Sequence, residues 1–211
     1  MRSWQDMAGD EILSRYRCNR MPLMKRLILI AAMACLAGEI GAAEKKPDLA
    51  HRTFYISGLE CASCVYMAQQ AIAETQGVER VDVVQMLDSF AKVAYDPKAL
   101  SEHQIAQAVR EAPPLHGMPY LASLKVRVAD YAKEGNATKV QALFERWKKW
   151  LEVVVMDERE GELVIHFLPL AKAVETKGPQ GWSLAMLDQA LSSPPPTGLG
   201  LAYEVVKQDD P

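Results

Sequence analysis

The stretch Gly58-Leu59-Glu60-Cys61-Ala62-Ser63-Cys64 constrains this chain more than any other. An extended apolar run, Thr53 to Ser57, leads into it, and Val65, Ala68, Ala71 and Ile72 follow at helical spacing. Two thiols are therefore set at a strand-to-helix turn, one of them in the first turn of the helix. Unpaired N–H groups and the positive end of the helix dipole favour thiolate over thiol there. Two thiolates three residues apart on a tight loop can both turn toward one soft cation, and Cu(I), Hg(II), Zn(II) and Cd(II) all suit such a pair.

The 211 residues leave room for one domain or two small ones, and a hydrophobic content of 49% is enough for a buried core. A net charge of −3 speaks against general nucleic-acid binding. The start of the chain reads as a leader. Met24-Lys25-Arg26 is a positive n-region, Leu27 to Ala37 an apolar h-region, and Gly41-Ala42-Ala43 a small-residue cleavage site that leaves Glu44 as the first mature residue. The apolar run falls short of the roughly 20 residues that a membrane span needs. Residues 1–23 then read as an upstream extension of a true start at Met24, and the mature product is periplasmic or secreted. Of the four cysteines, Cys18 and Cys35 leave with residues 1–43, so Cys61 and Cys64 stay. Lipid attachment at Cys35 is disfavoured, because Ala32-Met33-Ala34 makes a poor lipobox. From Glu44 on there are 18 Lys and Arg against 23 Asp and Glu, an acidic balance that suits cation traffic and also simple solubility.

Residues 44–52 form a polar lead-in. The pattern then predicts a strand at 53–57, a helix at 62–75 ended by Gly77, strands at 81–86 and 90–95 around a turn at 87–89, and a helix opened by the capping box Ser101-Glu102-His103-Gln104. That helix buries Ile105, Ala108, Val109 and Ala112, ends at Pro113-Pro114, and is followed by an extended segment at 120–128.

This βαββαβ order, with C-x-x-C at the first strand-to-helix turn, resembles the heavy-metal-associated domain. The family includes small copper chaperones, the periplasmic mercury-binding protein and the N-terminal modules of metal-pumping ATPases. The resemblance covers about residues 51–128 and includes the Tyr95-Asp96-Pro97 stop after the third strand. It implies an α+β, ferredoxin-like sandwich that holds one soft metal ion, copper first and mercury, zinc or cadmium as alternatives, between Cys61 and Cys64. Gly58, Leu59 and Tyr120 would support the metal loop, Leu59 standing where the family usually has Met. The resemblance also implies transfer of the ion by thiolate exchange with a metal-transporting membrane protein or another donor or acceptor. Glu60 would be an additional, harder ligand favouring Zn(II) or Cd(II) over Cu(I), and a solvated loop residue is the plainer alternative. The loop at 113–119 is longer than the family's and should approach the metal, which makes His116 and Met118 further candidate donors. His51, His103 and His166 have weaker claims, His166 as a structural residue of an apolar strand.

Residues 129–211 repeat the grammar without cysteines. Val140, Leu143, Phe144, Trp147, Trp150 and Leu151 fall on one helix face. A hairpin follows, 151–156 and 163–168 around Arg159-Glu160-Gly161, then a short helix at 182–191 and a closing strand at 199–206. A proline-rich loop precedes the last strand of both halves, which implies a duplicated second ferredoxin-like unit that has lost its site. The segment 120–128 is then either shared by both units, or the second unit lacks its first strand. The cluster Trp147-Lys148-Lys149-Trp150 reads as core-facing tryptophans with solvated lysines rather than a membrane surface, and Asn136 as a helix cap.

The same cysteine pair admits a second function, an envelope thiol–disulfide redox protein, although Glu60 stands where thioredoxin-like pairs usually have Trp. A third is an interaction protein that docks a metal transporter through residues 129–211. A four-residue disulfide loop would staple almost nothing. No hydrolase triad, phosphate loop or paired catalytic carboxylates can be read, so the expectation is a non-enzymatic binding protein.

Overall fold

A computed structural model describes residues 48–85, 89–171 and 178–207. The predicted leader, Cys18, Cys35, the first residues of the lead-in and the turn residues Leu87 and Asp88 lie outside them.

Strand β1 (Ala50–Ser57) begins in the polar lead-in, because Ala50, His51 and Arg52 pair with Tyr95, Ala94 and Val93 of β3 (Phe90–Tyr95). Helix α1 (Ala62–Ala73) follows, and β2 (Val78–Val84) starts three residues before its predicted place to pair antiparallel with β3. Ser101 caps α2 (Glu102–Glu111) in the predicted capping box with Gln104. Strand β4 (Leu121–Val128) buries alternate residues, Ala122, Leu124, Val126 and Val128. Helix α3 (Asn136–Glu145), the hairpin β5 (Leu151–Asp157) and β6 (Glu162–Phe167), helix α4 (Leu184–Leu191) and β7 (Tyr203–Val205) complete the chain.

Among the described residues seven strands join one antiparallel sheet in the order β2-β3-β1-β4-β6-β5, with β7 also on β4. Strand β6 takes one edge of β4. On the other edge β1 pairs with Leu121–Ser123 and β7 with Val126–Val128. The order β4-β1-β3-β2 of the first half thus recurs as β7-β4-β6-β5, and β4 serves both. The first half has the ferredoxin-like α+β arrangement. A single hydrophobic core runs through Phe54, Ile72, Leu124, Ile165, Trp182 and Leu187.

The N-terminus of α2 is stitched to the second half by a polar cluster. The buried carboxylate of Glu102 accepts from Tyr95 Oη and from the Leu184 N–H at 3.1 Å, the latter in the first turn of α4. Gln104 Oε1 accepts from Gln180 N–H (2.9 Å), Ser101 Oγ donates to the Gln180 carbonyl, and Arg110 donates to the Phe167 carbonyl (2.6 Å). His103 is fully buried between the Trp182 N–H, which donates to Nδ1 (3.2 Å), and the Leu168 carbonyl at 2.7 Å from Nε2. Nδ1 acts as acceptor, so Nε2 carries the hydrogen.

A second proton, on Nδ1, would face the Trp182 N–H, and burial followed by the nearby Arg110 charge holds the His103 pKa below the ordinary value despite the Leu168 carbonyl. The unfolded chain therefore takes up this proton first. The contribution of His103 to stability is complete above about pH 6.5 and is lost as pH falls through the lower folded value. We expect the midpoint of thermal unfolding to fall on acidification below that point, with a flatter profile in His103→Gln; identical profiles would refute the assignment.

Three expectations are corrected. Helix α3 stops at Glu145, because Trp147 N–H bonds Phe144 O and Trp150 N–H bonds Trp147 O in a tighter winding that turns the chain into β5. Trp147 is buried all the same, whereas Trp150 is half-buried with Lys149 Nζ 4.0 Å over its ring. Asn136 does not cap α3: Gly135, at φ 78°, takes that place, and Asn136 donates instead to the Asp130 carbonyl. His166 lies on the exposed face of β6, since the period of two turns it away from Ile165 and Phe167.

Candidate metal centre

The cysteine loop is set by its neighbours. Gly58 sits at φ +89°, and a Cβ there would lie 3.3 Å from the Pro119 carbonyl and 3.4 Å from the Tyr120 ring, so the turn out of β1 suits glycine alone. Leu59 is buried in the core, and its carbonyl accepts from Gln85 Nε2 at 3.2 Å. Between these anchors Glu60 is exposed, Cys61 half-buried and Cys64 fully buried.

Cys61 is the N-cap of α1. Its sulfur accepts from the Cys64 N–H at 3.3 Å, a bond that a negative sulfur strengthens. Both cysteines are free, with their sulfurs 2.9 Å apart. Burial pushes the Cys64 thiol up, but hydrogen bonds from Cys61, Tyr120 and the backbone at Glu60 and Cys61 outweigh it and bring the thiol down to about 7. The Tyr120 phenol is raised correspondingly, by burial and then by its bond to Cys64.

From the loop before β4, His116 Nε2 comes to 3.5 Å from the Cys61 sulfur, and the donor atoms of Cys61, Cys64 and His116 all lie within 4.8 Å of one another. The Glu60 carboxylate is outside that group. Met118 is 67% exposed on the same loop. His51 is an exposed residue of β1, and His103 is taken up by the polar cluster at α2. Two thiolates and one imidazole fit a soft or borderline cation, because sulfur donors prefer Cu(I), Hg(II) and Zn(II) and imidazole suits copper and zinc as well.

Residues 53–114 match the heavy-metal-associated domain. Two solved structures resemble the chain, both of CopA from Bacillus subtilis. The water-soluble region of that P-type ATPase is 14% identical, covers 75% of this chain and 92% of its own, and has a TM-score of 0.34. Its N-terminal soluble domains are 16% identical, cover 78% and 99%, and give 0.30. No curated protein matches the chain.

One support of the metal loop escapes a reading of the sequence. Gln85 holds the Leu59 carbonyl from 26 residues away, and nothing in its neighbourhood signals this. The Tyr120 hydroxyl accepts from the Leu115 N–H at 3.2 Å. Among the described residues no helix is long and apolar enough to cross a membrane.

Proposed function

We propose that this protein is an exported heavy-metal carrier that takes one Cu(I) between Cys61 and Cys64 and hands it to a metal-transporting membrane protein by thiolate exchange. The observation that carries the reading is the pair of free thiols, 2.9 Å apart at a helix N-terminus. One thiol is buried and the other reachable. Copper is favoured over zinc or cadmium because the carboxylate that would have hardened the site, Glu60, is outside the donor group. Export is supported by the basic, apolar and small-residue series from Met24 to Ala43.

Transfer follows from the unequal burial. An acceptor thiol loses its proton and forms a sulfur–metal bond while Cys61, the accessible donor, releases its own and takes up a proton. Cys64 holds the ion until a second acceptor thiolate replaces it. One bond forms as another breaks, and no redox step is needed. The test is to mix Cu(I)-loaded protein anaerobically with a metal-free acceptor carrying its own C-x-x-C. Transfer by exchange gives a rate that rises with acceptor concentration and exceeds spontaneous release. A rate equal to release at every concentration would refute it.

The short sulfur–sulfur distance and the lowered Cys64 thiol also favour a second reading, a thiol–disulfide couple. Reversible two-electron oxidation with electron transfer to a protein disulfide, in a chain that binds no metal tightly, would select it.

A further inference from the structure

The loop that brings His116 to Cys61 is exposed along its whole length, from Pro113 to Pro119, and Gly117 at φ +82° adds freedom to it. Something must hold it against the thiols. Among the described residues its backbone is tied to the site through the Leu115 N–H, which donates to Tyr120 Oη. Tyr120 itself is fixed: it is 1% exposed and its ring packs on Gly58.

Resting on the metal-binding reading above, we infer that Tyr120 is a positioning residue whose buried hydroxyl holds the His116 loop at Leu115, and so sets an imidazole beside Cys61 and Cys64 as third donor. The consequence is a difference between cations. Cu(I) is content with two thiolates, whereas Zn(II) needs further donors and depends on His116. Tyr120 thereby widens the range of ions the pair can hold.

Tyr120→Phe keeps the ring and its packing on Gly58 and removes the hydroxyl alone. With Zn(II) as probe, chelator competition on Tyr120→Phe, His116→Ala and the double variant should show about tenfold weaker binding in Tyr120→Phe, the size for a lost outer partner, and at least as large a loss in His116→Ala, which removes the donor itself. The double variant should be no weaker than His116→Ala, because the tyrosine acts through the histidine. Cu(I) affinity should fall less than Zn(II) affinity in all three. Unchanged Zn(II) affinity in Tyr120→Phe, or losses that simply add, would overturn the assignment. A metal-free measurement separates this from the underlying reading: amide hydrogen exchange at Leu115 should quicken in Tyr120→Phe while Leu124 in the core stays protected. Unchanged exchange at Leu115 would overturn the clamp. A wild-type chain that bound neither ion would sink the metal-binding reading, and the exchange result would still decide what Tyr120 does.

Discussion

Replacing Cys61 and Cys64 together by serine removes tight binding of soft metals and leaves the fold intact. Hydroxyls are poor donors to Cu(I), and His116 alone cannot hold the ion. The loss should be at least about a thousandfold, or about 4 kcal/mol. The fold survives because serine is itself a favoured N-cap and can take over the bond from the residue-64 N–H. The single variants should differ in kind. Cys64→Ser loses the buried anchor and with it most of the affinity, whereas Cys61→Ser loses the reachable sulfur through which exchange begins. Competition against a Cu(I) chelator, with circular dichroism to confirm folding, checks both points. Retained tight binding in the double variant would move the site elsewhere.

Trp182→Ala is expected to have the largest effect on stability. The indole is fully buried and lies edge-on to Trp147 (centroids 6.0 Å apart) and Phe167 (5.9 Å). Its backbone N–H bonds His103, so it stands where the second half meets α2. Among the described residues its ring N–H has no partner, so truncation forfeits packing rather than a hydrogen bond. A loss of about 3–5 kcal/mol follows from a cavity of that size, which lowers the unfolding midpoint by about 10 °C in a chain of this length. Both halves share β4 and the polar cluster around Glu102 and His103. Near-ultraviolet circular dichroism and the exposure of Cys64 should therefore report one coincident transition, shifted as a whole. Cys64 becoming exposed in a separate, unshifted step would show that the first half stands alone.

The parts of the molecule that depend on local pattern were legible in the sequence. The strand-turn-helix around Cys61, the capping box of Ser101 and Gln104, and the hairpin around Gly161 each follow from neighbouring residues. What escaped depends on distant partners. Period alone cannot stop α3 at Glu145, since Trp147 and Trp150 continue the apolar spacing while the backbone tightens toward β5. The double use of β4 is one of two readings the sequence leaves open, because the choice rests on the two partners that divide one edge. Glu102 and His103 look like ordinary residues of a first helical turn, yet their partners lie 82 and 79 positions away. At the site, the thiols were evident and Glu60 was a fair candidate by adjacency. The turn at Gly58 nevertheless leaves that carboxylate outside the donor group, and a loop more than fifty residues on supplies His116.

X-ray absorption at the copper edge, on the reduced full-length chain loaded anaerobically with one equivalent of Cu(I), reads the donor atoms themselves. The account predicts a first shell built on two sulfurs, both lost in the Cys61→Ser, Cys64→Ser variant. A shell of nitrogen and oxygen alone, or one unchanged in that variant, would contradict it.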